Sequence, residues 1–408
     1  MIIFTRASVI SGADVLEDRD VWVEGNTIVR VSQTEYSSGD APDDLPGTAR
    51  YPAGAALIDV KGLYLSAGFI DLHVHGGMGH DFMDASRDAF EGVAACHARH
   101  GVTSMLATTL AGDDVETFAF LEAYDRYAAN AGETTGCRYL GVHLEGPYFN
   151  PIQAGAQDPR YIRSPSPEHY TKLLRYKSVK RFSAAPELDG ALELGDFLRS
   201  CGVLVSMAHS DADFDQALLA TGHGYSLVTH VYSGMQGVHR KNAYRYGGMV
   251  EAALLLDGLT AEVIADGRHL PGCLLKLIYK CKGPDGMILV SDATRGAGLP
   301  DGVTVKVGSL TRGQDAIIED GVAKLPDRTA FAGSVASGDR LIRTMVRLAG
   351  VPLAEAVAMM TRNPSRLMGL ADRIGDVREG MDADVVVFDE NVNIKHVMSN
   401  GQLRRFDL

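Results

Sequence analysis

Short apolar runs in the middle of this chain end, one after another, in residues that bind metals or move protons. The first run is Phe69-Ile70-Asp71-Leu72-His73-Val74-His75-Gly76-Gly77. In an extended strand the side chains alternate, so Asp71, His73 and His75 share one face and Ile70, Leu72 and Val74 the other. Two imidazoles spaced this way on one strand can grip one metal ion. Taken alone, the pair favours a metal only slightly over two histidines that fall near a turn by chance. Further runs end in Gly141-Val142-His143-Leu144-Glu145-Gly146-Pro147, Met207-Ala208-His209-Ser210, Val228-Thr229-His230 and Val290-Ser291-Asp292-Ala293. A single buried histidine is more often a satisfied core residue than a ligand. The repetition at the same end of successive runs is what points to a site.

Something must carry these ends to one place. Eight strand candidates begin near Phe69, Thr103, Tyr139, Lys180, Leu204, Leu227, Thr260 and Met287. Their spacing suits a strand-loop-helix-loop unit, and Ser86 to His100 carries Phe90, Val93, Ala94 and His97 at helical spacing. Eight such units predict a closed parallel (β/α)8 barrel, whose working face is the C-terminal end of its strands. An open doubly wound sheet is the alternative, and the absence of a G-x-G-x-x-G run after the first strand lowers it. Both chain ends read as strands. Asp20–Glu24 and Thr27–Val31 flank a Gly25-Asn26 turn, while Ala383–Phe388 and Ile394–Met398 precede an Asn400-Gly401 turn. The division expected is residues 1–65 and 373–408 as the two parts of a small β-sandwich domain, with the barrel over 66–372. The polar stretch Ser37–Asp44 reads as a loop excursion.

Composition narrows the partners. The chain has 408 residues, 46% hydrophobic, with 45 glycines that suit many tight strand-to-helix turns. A net charge of −13 argues against a nucleic-acid surface, which needs Lys and Arg against phosphate. No apolar stretch reaches membrane-spanning length and the first residues lack a signal-peptide pattern, so no membrane role is expected. The five cysteines are scattered and odd in number. They read as reduced thiols of a cytoplasmic protein.

With these runs in hand, the sequence resembles the N-acetylglucosamine-6-phosphate deacetylase family of the amidohydrolase superfamily. Asp71–Gly77, Gly141–Pro147, Ala208–Ser210, Thr229-His230 and Ser291–Ala293 carry the resemblance, and Ile264–His269, Ala332–Ser334 and Gly375–Asp384 extend it over essentially the whole chain. The Glu-Gly-Pro run is its specific part. The resemblance implies that Glu145, His209 and His230 hold a principal divalent metal, and that His73 and His75 form a second position with Glu145 bridging. Some members lack the His-x-His pair and offer a histidine downstream of Glu-Gly-Pro instead; here Gln157 stands there, which favours two positions, one or two ions per subunit. Zinc is the default for this ligand set and iron is compatible with it. Asp292 is implied as the general acid/base. A helix N-cap is the other common task for such an aspartate. His269 is implied to meet the sugar, and His239-Arg240-Lys241 the substrate's phosphate, Arg being suited by its planar fork. The resemblance also implies a homodimer and a small phosphosugar substrate.

The departures gather on the substrate side. The family's usual Asn-Ala-Met is Ser233-Gly234-Met235 here, Asn242–Gly248 is a longer loop, and Ser334-Val335-Ala336-Ser337 replaces a run bearing leucine and threonine. An altered stereochemical preference, such as the galacto epimer, is the expectation. Two other readings compete. A D-aminoacylase-like amide hydrolase would often carry a carboxylated lysine at the fourth strand end, where Ser183-Ala184-Ala185-Pro186 stands. A non-catalytic binding protein on the same fold would usually have lost ligands, and none is missing.

Overall fold

The computed structural model describes residues 1–34, 51–130 and 136–406; the polar stretch Ser37–Asp44 lies outside the described residues. Eight parallel strands form the centre: β1 (Phe69–Val74), β2 (Val102–Thr108), β3 (Arg138–Glu145), β4 (Val179–Ala184), β5 (Leu204–Met207), β6 (Tyr225–Val228), β7 (Thr260–Val263) and β8 (Met287–Leu289). Each pairs with its sequence neighbour, in the order β8 to β1. The sheet closes on itself beyond β8. Val74 bridges Ala293 in parallel, Asp292 N–H donates to His73 O at 2.9 Å, and His75 N–H donates to Ala293 O at 2.8 Å. This is the (β/α)8 barrel that the alternation of elements predicts.

The barrel wall is apolar on both faces because helices cover it outside and side chains fill it inside. Phe69, Val74, Val142, Phe182 and Val205 pack outward with helical residues such as Phe90, Val93 and Leu198. Ile70 and Leu72 instead join Leu106, Leu227, Ile288 and Val290, a cluster drawn from strands on opposite sides and therefore interior. Strict alternation along β1 would put Ile70 and Leu72 on the outer side with Val74. It fails because the register of β1 against β2 shifts between Asp71 and Val74, which lets Leu72 and His73 both face inward. Leu72 thus belongs to the plug below the site and His73 to the site itself.

The helix expected near Ser86 runs Arg87–Ala98, with the Ser86 hydroxyl accepting the Ala89 N–H. Both ends of the chain share one sheet. Tyr64–Ala67 pairs in parallel with Ile2–Ser11 and antiparallel with Val385–Phe388, and the sheet encloses its own core of Phe4, Val9, Val21, Leu65 and Val387. A three-stranded antiparallel sheet, Thr304–Val307, Gln314–Glu319 and Val322–Lys324, follows β8 and was not foreseen from the sequence. Arg295 fastens it. Its guanidinium donates to both Asp84 carboxylate oxygens at 2.8 and 2.7 Å, to Gly79 O at 2.8 Å, and to Lys306 O and Gly308 O at 2.9 Å each. All five N–H groups are used, so this buried cation is fully satisfied. Val307, held between the two anchored carbonyls, forms part of the cavity wall over the barrel mouth.

Candidate active site

Sharp strand exits aim the polar residues inward. His209, His230 and Asp292 follow β5, β6 and β8 and have φ of 46°, 28° and 49°. A non-glycine residue in this left-handed region costs about 1–2 kcal/mol, and such strain persists where surrounding bonds hold it. Here Asn150 N–H donates to His209 O and Ser233 N–H to His230 O, each at 2.9 Å, and Ser334 N–H donates to Asp292 O at 2.8 Å. No helix starts at Asp292, so the N-cap alternative does not apply to it.

Glu145 sits at the centre. Its Oε1 lies 3.2 Å from His230 Nε2, 3.4 Å from His209 Nε2 and 3.5 Å from His73 Nε2, and its Oε2 lies 3.4 Å from His75 Nε2. The Nε2 atoms of His73 and His75 are 3.2 Å apart. Asp292 Oδ1 is 3.1 Å from His75 Nε2 and 3.5 Å from His73 Nε2. All six residues are buried. Two donor sets result, His73–His75–Glu145 and Glu145–His209–His230, each with ligand atoms within 4.8 Å of one another.

These residues fit divalent cations on three grounds. First, two ligand atoms at about 2.1 Å from one tetrahedral ion stand ~3.4 Å apart, close to the separations just given. Second, the tautomers are set for ligation at His73 and His209. His73 Nδ1–H donates to Glu262 Oε1 at 2.9 Å and His209 Nδ1–H to Gln153 O at 2.8 Å, which turns Nε2 toward the centre. Third, the site attracts positive charge. Burial works to lower the His73 pKa, yet the nearby Asp292 and Glu145 carboxylates push it up to about 10. Burial also works to raise Glu145, and the imidazoles around it hold its carboxyl well below the ordinary range. Asp292 is likewise held below the carboxylate norm, burial being outweighed by His73 and His75.

Above this cluster opens a cavity of about 300 Å³, the size of a small-ligand site. His75, Glu145, His209, His230 and Asp292 line its foot, and Gln157, Ser233, Gly234 and His269 line its sides. Gln157 bridges inward: its Nε2 donates to Glu145 Oε2 and its Oε1 accepts the Ala111 N–H, both at 2.8 Å. His269 is oriented by Asp266, Nδ1–H to Oδ2 at 2.8 Å, and packs on Phe331 with ring centres 4.6 Å apart. His239, Arg240 and Lys241 are not brought to this cavity. They form one strand of a hairpin with Tyr244–Tyr246, on which Arg240, Lys241 and all three partner residues are exposed. Among the described residues, no Lys or Arg lines the cavity.

Sequence reasoning passed over a second layer beneath the candidate ligands. Glu262 and Arg181 are fully buried inside the barrel and lie 2.5 Å apart. Burial would raise the Glu262 carboxyl, but Arg181 and His73 hold it down at about 2. Asp71 accepts the backbone N–H of Ser291 and of His73, each at 3.2 Å. The available signal was a charge inside each of two strands, Arg181 beside Lys180 in β4 and Glu262 alone in β7.

Residues 64–404 match the amidohydrolase family. The chain is 31% identical over 407 residues to an N-acetylglucosamine-6-phosphate deacetylase of Lysinibacillus sphaericus, covering 99% of this chain and 97% of that protein. It is 33% identical over 344 residues to an N-acetylgalactosamine-6-phosphate deacetylase of Escherichia coli O157:H7, covering 84% and 88%. Among solved structures, the N-acetylglucosamine-6-phosphate deacetylase of Pasteurella multocida superposes with a TM-score of 0.87 at 26% identity, covering 99% of this chain and all of that one.

Proposed function

The chain belongs to the N-acetylglucosamine-6-phosphate deacetylase family of amidohydrolases, and we propose that it hydrolyses the acetamide of an N-acetylhexosamine 6-phosphate to the amino sugar 6-phosphate and acetate. The observation that carries this reading is the convergence of Glu145, four imidazoles and the Asp292 carboxylate at the foot of one cavity.

In this reading Glu145, His209 and His230 would hold the principal divalent ion, and His73 and His75 a second one shared through Glu145. Zinc is the first choice and iron the alternative, since both accept imidazole and carboxylate. When bound, such a metal makes hydroxide available near neutral pH and offsets charge developing on the carbonyl oxygen. Asp292 takes the proton from the attacking water and delivers it to the amine nitrogen as the C–N bond breaks. Its lowered pKa suits the first half of that task, because it waits as the carboxylate. Gln157 keeps Glu145 in place, and His269, held by Asp266, faces the sugar. Ser233 leaves room in the cavity wall where the family usually has Asn, which supports a shifted gluco/galacto preference.

The phosphate needs a cation that the chain's own cavity lining lacks. Arg240 and Lys241 stand exposed on their hairpin, so in the homodimer the family implies they would serve a neighbouring subunit. No helix among the described residues is long and apolar enough to cross a membrane. All five cysteines are free, which supports a cytoplasmic site of action. The test is acetate release from a panel of N-acetylated gluco- and galacto-hexosamines, with and without the 6-phosphate. Loss of a charge-assisted contact of ~1.5–3 kcal/mol predicts kcat/KM lower by roughly ten- to a hundredfold for the free sugars. Equal values for free and phosphorylated sugars would replace this reading with a broader N-acyl hydrolase.

A further inference from the structure

The Arg181–Glu262 pair under the site is not explained by stability. A buried ion pair contributes little that well-packed apolar residues of the same volume would not, and this pair lies in the barrel interior beside the Leu and Ile cluster and among buried Ser183, Ser206 and Thr229. Its contacts suggest another task. Glu262 Oε1 accepts both the His73 Nδ1–H at 2.9 Å and the His230 backbone N–H at 3.3 Å. One carboxylate oxygen therefore touches a member of each donor set. Its other oxygen faces Arg181 Nη1 at 2.5 Å. Arg181 is fixed in turn by Leu72 O at 3.1 Å, Thr229 Oγ1 at 3.0 Å and Ser206 Oγ at 3.3 Å.

We propose that Glu262 is a positioning residue common to both metal positions, with Arg181 as the cation that aims it. The inference rests on the metal-dependent reading above. The chemistry singles out a carboxylate. Glu262 must present a negative oxygen on both sides, to the guanidinium as an ion pair and to the imidazole Nδ1–H as an acceptor, because only an imidazole that donates at Nδ1 presents its Nε2 lone pair to an ion. An amide cannot do this. With its oxygen turned to Arg181 it presents N–H to His73, and the imidazole then carries its proton at Nε2, where the ligand lone pair should be.

The test follows from that asymmetry and uses zinc alone as the probe, measured as ions bound per chain and by chelator competition on the full-length protein. Wild type is expected to bind two zinc ions. Glu262→Gln should weaken the His73–His75 position by about ten- to a hundredfold, the usual effect of losing a group that orients a metal ligand, while the Glu145–His209–His230 position changes less. Adding Arg181→Met should restore the weakened position to within a few-fold of wild type, since the amide oxygen is then free to face His73. Rescue by removing a buried residue is not what a merely structural role predicts. Glu262→Gln with unchanged zinc affinity at both positions would overturn the proposal, as would a double variant no better than the single one. If Glu262→Gln fails to fold, the double variant decides alone: two zinc ions support the proposal and fewer overturn it. Wild type binding no zinc or iron at all would instead sink the metal-dependent reading, before any variant is compared.

Discussion

Gly234→Ala moves the sequence toward the family's usual Asn-Ala-Met, yet the structure predicts damage. Gly234 has φ +58°, and a Cβ built there would lie 2.7 Å from His209 Nδ1 and 3.0 Å from Gln153 O. Those two atoms are the donor and acceptor of the bond that orients His209, 2.8 Å long. The methyl group would enter that bond from the side, so His209 must shift. Two costs add: about 1–2 kcal/mol for alanine in the left-handed region and ~1–3 kcal/mol for overpacking. The functional effect is expected at the metal, with affinity at the principal position falling roughly ten- to a hundredfold. Gly155→Ala separates the two costs. It has the same φ of +58°, but its nearest neighbour, His209 Cε1, is at 3.6 Å, an ordinary contact. The assay is chelator competition for bound zinc, with urea unfolding in parallel. Gly155→Ala should lose stability and keep its metal, whereas Gly234→Ala should lose both. Equal zinc affinity in the two variants would refute the clash.

Further outcomes follow from the same geometry. Asp292→Asn should keep its metal and lose turnover by two or more orders of magnitude, the range of a general acid/base; metal loss on that change would make Asp292 a ligand instead. Arg240→Ala should lower kcat/KM about ten- to a hundredfold on the phosphorylated sugar and little on the free one, and equal effects on both would remove the hairpin from phosphate recognition. His97 is buried, its Nε2–H donating to Gly76 O at 3.0 Å, and burial lowers its pKa from 6.5 to about 4. The unfolded chain therefore takes up a proton between those values that the folded chain refuses. Stability from this residue is complete above pH ~6.5 and falls by ~3 kcal/mol as pH drops to about 4. Urea midpoints across that range should flatten in His97→Gln, and an unchanged slope would rule His97 out as the cause.

The barrel was legible because its strands are apolar on both faces and end alike. Each of the eight predicted starts lies within or next to an observed strand. What periodicity could not see was the irregularity in β1. A one-residue register shift reverses the sides of Ile70 and Leu72, and nothing in the local sequence announces it. The clustering of the candidate ligands was readable since His and Glu at strand ends are conspicuous against Val and Leu. Glu262 and Arg181 were not, because a charge inside a strand looks the same whether it faces solvent, as Lys180 does, or the barrel interior, as Arg181 does; only the closed barrel brings Glu262 and Arg181 together across three strands. The sheet over residues 304–324 was missed for a different reason: its strands are short and serve the cavity wall, outside the strand-helix alternation that guided the reading. The basic triplet His239–Lys241 was conspicuous as charge, but charge alone does not fix where a hairpin points.

The most direct test of the account is a joint measurement of bound metal and acetate release for Glu145→Gln against wild type, with N-acetylglucosamine 6-phosphate and its galacto epimer as substrates. Glu145 is the one carboxylate common to both donor sets. The account predicts that wild type carries metal, loses turnover on chelation and regains it when zinc is returned, while Glu145→Gln neither retains metal nor recovers. A purified Glu145→Gln protein with near-normal metal and turnover would contradict it.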